Sequence, residues 1–393
     1  MNPTSSFAIG ISLIILGTMV FVVYWLGASP FSQNESSTIP PIQNEVAYTV
    51  EEVVHGLEVP WSIVFTSPTR MLVSERPGRI RVIENPSTGS GQAALAEKPL
   101  HTFPEVSTGG EEGLMSLALH PSYASNKYVY ASYAYQSERG MWVKVIRFRD
   151  NGDSISNITT IIDAIPAAQF HAGCELAFGP DGKLYITTGD ATEREIAQDK
   201  DSLGGKILRL NDDGSIPSDN PFGTAVWSYG HRNPQGISWN SEGELYETEH
   251  GPSGFDGPGG GDEVNRIQKG GNYGWPLVSH ERTQEGTIAP IALYTPAEAP
   301  ASALIYSGNV FPQFKDNLFF GALRGEGLWR VVIDENDPDE IVGQEKLFDG
   351  EYGRIRDVAE GPDGSIYFST SNRDGRGDPA ASDDRIFRIV PKE

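Results

Sequence analysis

Between Tyr229 and Trp275 the chain runs through YGHRNPQGISWN, ELYETEHGPSG and GGGDEVNRIQKGGNYGW in close succession. An Arg-Asn pair, a Glu-His followed by Gly-Pro, an acidic Asp-Glu and an aromatic cluster fall in one region, with glycines on both sides that keep the backbone open. A plain structural strand pair does not need that combination. A site that binds an anionic ligand and a hard cation does.

Other candidates lie outside this stretch. His171, in QFHAGCELAFGPDG, stands between a polar loop and an apolar strand. Histidine is the ordinary general base near neutral pH, although one at such a junction also serves structure. Arg232 precedes Asn233, Arg324 lies in GALRGEG, and Arg354 and Arg356 lie in YGRIRDVAEGPDG. The last two alternate, so a strand presents both on one face. Like charges there repel unless an anion lies between them or the chain's own Asp357 or Glu351 neutralises them; a polycarboxylate ligand is the sharper of these readings. Gly251 and Pro252 in EHGP offer backbone carbonyls and Glu263 in GDEVN a carboxylate, hard oxygen donors of the kind calcium takes. A merely Gly-rich surface loop is the alternative. Glu111, in EEGLMSLALHP, either meets a ligand or caps a turn.

The bulk composition narrows the setting. With 44 glycines, 27 prolines and little long helical periodicity, the 393 residues read as a turn-rich all-β protein. A net charge of -23 excludes nucleic acid as a partner, because phosphate backbones need basic patches. Cys174 is the single cysteine, so no intramolecular disulfide forms; it reads as a small buried hydrophobe. After a short tail, residues 1–6, the run from Phe7 to Ala28 is long enough for a bilayer-spanning helix of about 20 residues. No basic residue precedes it and Leu26-Gly27-Ala28 is a poor cleavage site, which favours an uncleaved anchor over a removed signal. Residues 29–46 read as a Pro/Ser-rich flexible linker. The expected location is the cell membrane, with the globular domain facing the outside. The triplets Asn34-Glu35-Ser36 and Asn157-Ile158-Thr159 are compatible with that.

The elements that position the candidates fall within residues 47–393. An apolar strand, a Pro-Asp-Gly-like turn and a second strand recur as LAFGPDGKLYITTGD, VAEGPDGSIYFSTSN and ISWNSEGELYETEHG, with looser copies from Ser62, Leu117 and Leu304. Six copies at a spacing of roughly 50 to 65 residues predict a six-bladed β-propeller with four-stranded blades. RIFRIVP, from Arg385, is expected to pair with Tyr48–Val54 and close the ring. Ligands are expected at one mouth of the central channel, on the loops that leave the innermost strands.

Taken in order, VPWSIVF, EEGLMSLALHP, HAGC with FGPDGKLYITTGD, GHRNPQG, EHGP, GDEVN, KGGNYGWP and RIRDV resemble one family across nearly the whole globular part: the soluble PQQ-dependent glucose and sorbosone dehydrogenases, in particular the aldose sugar dehydrogenase branch. The resemblance implies oxidation of an aldose at its anomeric carbon to a lactone, by hydride transfer to PQQ, with reducing equivalents passing to an external acceptor. It implies that His171 is the general base, that Arg232 and Asn233 flank the quinone's reactive edge and that Arg324 stands as a cation against the cofactor. Arg354 and Arg356 hold the cofactor carboxylates in the same scheme, and Glu111 occupies a cofactor-contacting position. Gly251 and Pro252 match carbonyl ligands of a catalytic calcium, and Glu263 and Tyr273 match ligands of a structural calcium. The chain also departs from the pattern. Glu111 replaces a frequent glutamine and Phe170 an acidic residue. The loop between EHGP and GDEVN is longer than in the aldose enzymes, and Leu293–Ser302 lacks the tryptophan of the glucose pocket. Two other readings predict different chemistry. A non-catalytic propeller binding glycan or protein would take up no quinone, and a calcium-dependent propeller hydrolase would hold one axial metal on carboxylates and Asn.

Overall fold

Alternation of short β-branched and aromatic runs with Gly-containing turns produces six antiparallel sheets in sequence order, arranged as the blades of a propeller. The computed structural model describes residues 39–42, 46–87 and 93–392. The innermost strands of blades 1 to 6 are Pro60–Ser67, Leu114–Leu119, Leu176–Phe178, Pro234–Trp239, Pro300–Ile305 and Ile355–Glu360. Each leads through a turn to a second strand, and the recurring Pro-Asp-Gly segments are those turns. Blades have four strands, apart from a short fifth strand, His101–Thr102, in blade 1. Blade 6 is completed by the start of the domain: Tyr48–His55 pairs antiparallel with Arg385–Pro391, joining Tyr48 to Pro391 and His55 to Arg385. This closure is the one expected, and it leaves no open sheet edge between the two ends of the domain.

Side-chain hydroxyls stitch the inner strands to one another. In five blades the pairing of the inner with the second strand slips by a bulge near the start of the inner strand. A hydroxyl of the second strand then accepts the N–H left without a ladder partner: Ser74 from Ser62 at 3.0 Å, Ser132 from Ser116 at 3.0 Å and Ser369 from Asp357 at 3.1 Å. Ser132 also donates to the Cys174 carbonyl of the next blade at 2.8 Å. The inner strands themselves are bridged by Ser62 to Leu117 N, Ser116 to Leu176 N, Ser238 to Ile305 N, Ser302 to Val358 N and Asp357 to Ile63 N, at 2.6 to 3.1 Å. Apolar clusters fill the wedges between blades; Cys174, 1% exposed, belongs to one of them, and burial pushes its thiol up to about 12.

Residues from Ile39 onward fall in one compact unit with the propeller. Pro41 forms a parallel bridge with Gln344 on the outer strand of blade 5, so the last part of the expected linker is docked on the propeller. The expected anchor, Phe7–Ala28, lies outside the described residues, as do the tail, most of the linker and Asn34-Glu35-Ser36. Among the described residues no helix is long and apolar enough to cross a membrane. Asn157-Ile158-Thr159 is exposed on the outer strand of blade 2.

Replacing Ser132, fully buried, with Ala leaves both Ser116 N–H and the Cys174 carbonyl unpaired. The expected loss is about 1–3 kcal/mol of stability, read from the urea midpoint; an unchanged midpoint would contradict the stitching role.

Candidate active site

One mouth of the ring opens into a cavity of about 780 Å³. Its walls come from loops that lead into the inner strands and from loops joining second to third strands, not from the turns that leave the inner strands as expected. The reason is directional: in an antiparallel blade these two kinds of loop emerge at one end, and the Pro-Asp-Gly turns emerge at the other.

His171 lies in the segment leading into blade 3, and its backbone adopts the left-handed region at φ 56°. Gly189, at the end of the second strand, permits the approach: a Cβ there would fall 1.9 Å from the His171 carbonyl oxygen. The next residue, Asp190, accepts a hydrogen bond from His171 Nδ1 at 2.7 Å. Its other oxygen accepts from Trp275 Nε1 at 2.8 Å, and Oδ1 also takes Thr192 N. The imidazole is therefore held in one tautomer, with Nε2 as the free acceptor in a cavity-lining side chain. Lys206 fixes the Asp190 loop from below, its ammonium bonded to the carbonyls of Ile196, Ala197 and Gly204. Asp190 was not singled out from sequence, although it ends the conspicuous strand YITTGD.

The arginines divide into two groups. Arg76, Arg324, Arg354, Arg356 and Arg376 line the cavity, opposed by three carboxylates, Glu111, Asp262 and Asp374. Arg354 is neutralised by Asp374, at 2.9 and 2.7 Å, and not by Asp357 or Glu351. Arg376 pairs with Glu111, which resolves the conflict a carboxylate would otherwise pose there. Arg356 is different. Its guanidinium is buried, lies 3.9 Å from the Trp61 ring centre, and leaves Nε without a partner. Burial lowers its pKa to about 10. Arg232 does not line this cavity: it is 2% exposed and is spent on Asp256 at 2.7 Å, the His250 carbonyl and Ser253, with Trp275 beneath it. Asn233 does not line the cavity either: its N–H is on Glu249 and its Oδ1 accepts from Gln235, while its Nδ2 is buried without a partner. Sequence order cannot show that Arg232 is spent on the loop that follows His250, because Asp256 approaches it only through the fold.

Gly251 borders both the large cavity and a small one of about 10 Å³, where Pro252, Glu249, Glu263 and Tyr273 converge. The Pro252 carbonyl accepts Gly260 N at 3.2 Å, and Gly251 N donates to Asp262 at 2.7 Å. Tyr273 reaches the small cavity, yet its hydroxyl is spent on the Arg266 carbonyl and Gln268 N, so it supplies no free phenol oxygen to a metal. Two unanticipated residues stand beside them. Glu247 and Glu249 share a face of Leu245–Glu249, opposite Asn265 and Glu263 of Asp262–Ile267. Donor atoms of His231, Glu247 and Glu249 lie within 4.8 Å of one another. His231 Nδ1, Glu247 Oε1 and Asn265 Oδ1 are buried without a partner. Burial raises Glu249 to about 7; burial and the Glu249 charge push Glu247 and Glu263 well above the usual range. The E-x-E and E-x-N spacing on adjacent strands was the available signal.

This is a propeller with a histidine–aspartate pair beside an arginine-rich cavity. The family model for glucose/sorbosone dehydrogenases matches residues 57–379. Aldose sugar dehydrogenase YliI of Escherichia coli is 33% identical over 352 residues, covering 83% of this chain and 91% of the relative. Quinoprotein glucose dehydrogenase B of Acinetobacter calcoaceticus is 25% identical over 420 residues, covering 82% and 85%. The PQQ-bound aldose sugar dehydrogenase structure from Streptomyces coelicolor superposes with TM-score 0.76 at 34% identity, covering 88% of this chain and 99% of that one. The chain belongs to the glucose/sorbosone dehydrogenase family.

The glutamate cluster has a pH consequence. Carboxyls whose folded pKa is raised favour the fold while protonated, so without metal their contribution is complete below about 4.5 and is lost as pH rises, for Glu249 through about 7. Glu247→Gln should therefore raise metal-free stability at pH 8 and change it far less at pH 4.5. Chemical denaturation in chelator at both values checks this; equal effects at the two pH values would refute it.

Proposed function

We propose that this chain oxidises aldoses at the anomeric carbon to lactones, using PQQ in the large cavity and calcium beside it. The observation that carries the reading is Arg356, a buried guanidinium with an unpartnered Nε, stacked on Trp61 in a cavity where five arginines meet three carboxylates. In a chain of net charge -23, such a concentration of arginine requires an anion. PQQ is a planar tricarboxylate, and the Streptomyces and Acinetobacter relatives are described as PQQ-bound and as a quinoprotein. When bound, PQQ supplies a hydride-accepting ring for the two electrons leaving the sugar.

The protein's part is positioning and proton transfer. Arg356, Arg354, Arg324 and Arg76 hold carboxylates, and Trp61 offers a flat support to the guanidinium. His171 Nε2 takes the proton of the anomeric hydroxyl as hydride leaves C1, and Asp190 stabilises the imidazolium that forms. Arg232, spent on Asp256, positions the loop that follows His250 instead of touching the reacting atoms. The residues that would hold calcium are the Gly251 and Pro252 carbonyls, Glu249 and Glu263 at the small cavity, and Glu247 and Asn265 next to them on the same two strands, all hard oxygen donors. These side chains sit between the second and third strands of blade 4 rather than on the channel axis, which disfavours the hydrolase alternative. On the same reading, the Phe7–Ala28 run anchors the propeller to the outer face of a membrane, and an external acceptor reoxidises the cofactor.

The test is a titration of the full chain with PQQ, in calcium and in chelator, followed by dye reduction with a panel of aldoses. Calcium-dependent uptake with sugar-dependent turnover is expected; no uptake in either condition would favour the non-catalytic propeller. His171→Gln should lower kcat by about 10²–10⁴-fold with PQQ affinity preserved within a few-fold, and intact turnover would show the base is misassigned. Arg356→Ala should weaken PQQ binding by about tenfold or more, with Arg356→Lys intermediate; unchanged affinity in both variants would remove the carboxylate-holding role.

A further inference from the structure

Two phenyl rings stand exposed beside the base. Phe170 is 40% exposed and Phe255 67%, and among the described residues they are the aromatic members of a small set of exposed large hydrophobics. Both line the large cavity. Phe170 immediately precedes His171, and the Phe255 ring lies nearly parallel to the imidazole, 5.9 Å between centroids and 27° between planes. Exposed aromatic rings that cluster at one mouth of a cavity mark a binding surface more often than a packing error.

Their placement is built. Phe170 is covered on one side by the Arg376 guanidinium, 5.5 Å from its centroid, and Arg376 is itself tied to Glu111. Phe255 belongs to the long glycine-rich loop, where Gly254 takes φ +92°. A free loop of that composition would leave the ring undirected. The next residue removes the freedom: Asp256 accepts from buried Arg232 at 2.7 Å and from Ser253 N at 2.9 Å. The aspartate–arginine latch thus sets the phenyl ring over the imidazole edge of the cavity.

We propose that Phe170 and Phe255 are the sugar-gripping residues, two phenyl faces that bracket the aldose ring at His171, with the Asp256–Arg232 pair holding Phe255 in position. This rests on the dehydrogenase reading and deepens it. A pyranose presents its C–H bonds on its faces and its hydroxyls around its edge. A phenyl face, negative at its centre, therefore suits the ring plane and leaves the anomeric hydroxyl free to meet Nε2. Recognition by faces, with few directional partners for the ring hydroxyls, fits a broad range of aldoses rather than one epimer. Phe170 and Phe255 are specificity residues on this view; Asp256 is a positioning residue.

The test uses the PQQ- and calcium-loaded full chain. Phe255→Ala and the double Phe170→Ala/Phe255→Ala variant should raise the aldose KM by about tenfold or more, with kcat within a few-fold and PQQ titration unchanged. Phe255→Trp should restore KM and Phe255→Leu should not, which separates an aromatic face from mere bulk. Asp256→Asn should shift KM in the same direction by a smaller factor. Calorimetric binding of an anhydro-alditol, a sugar without the anomeric hydroxyl, should weaken in parallel, free of any turnover. Unchanged KM and unchanged anhydro-alditol binding in the double variant would overturn the proposal while the wild type still turns over. Weakened PQQ uptake with unchanged KM would overturn it too, by assigning the rings to the cofactor wall. A wild type that takes up no PQQ or oxidises no aldose would instead sink the dehydrogenase reading and this inference with it.

Discussion

The bulge near the start of the inner strands is the constraint on which the site depends. Each bulge ends the inner ladder early and frees backbone groups in the dry centre of the ring, where an unpaired N–H is costly. Hydroxyls of the second strands, and hydroxyls and a carboxylate of neighbouring inner strands, take up those groups, from Ser62 and Leu117 through to Asp357 and Ile63. The residues just upstream are consequently released from strand geometry at the mouth. Arg354, immediately before the bulge of blade 6, occupies such a position and turns its side chain to the cavity wall. The same bonds that hold blade to blade therefore decide which side chains can face a ligand.

Buried charge is unevenly distributed. Cations collect at the large cavity, where Arg356 has no carboxylate partner, and carboxylates collect between two strands of blade 4, where Glu247 and Asn265 keep unpaired oxygens. Neither group is self-sufficient, since a buried charge without a partner opposes folding. The first group calls for an anion and the second for a hard cation, and Gly251 borders both cavities. Binding at either place would offset the cost of burying those groups, so ligand uptake and stability are linked.

Much of the architecture was legible. The six strand–turn–strand units from Ser62, Leu117, Leu176, Ile237, Leu304 and Val358 are the first two strands of the six blades, and RIFRIVP closes on Tyr48–His55. Local turn chemistry and period-two alternation are enough for that, because they act between near neighbours. The docking of Pro41 on blade 5 was not legible, since it depends on a strand some three hundred residues away. The end of the ring that carries the cavity was also misjudged, because the conspicuous Pro-Asp-Gly turns mark the opposite end from the cavity.

The sequence by itself determined the kind of site: a histidine before a strand, arginines in excess at particular loops, and oxygen donors around EHGP and GDEVN. These are properties of residue type and of spacing within a few positions. Only the tertiary structure decided which of them meet. It brought Asp190 to His171 through the glycine at 189, gave Arg232 to Asp256 instead of to the cavity, turned the Tyr273 hydroxyl away, and set Phe255 against the imidazole. Apart from the Tyr273 hydroxyl, which turns back on the strand just before it, each of those outcomes is a contact between separate loops. The partner of a polar side chain is fixed by the group that the fold carries to within hydrogen-bonding distance, and sequence spacing holds no information about that distance.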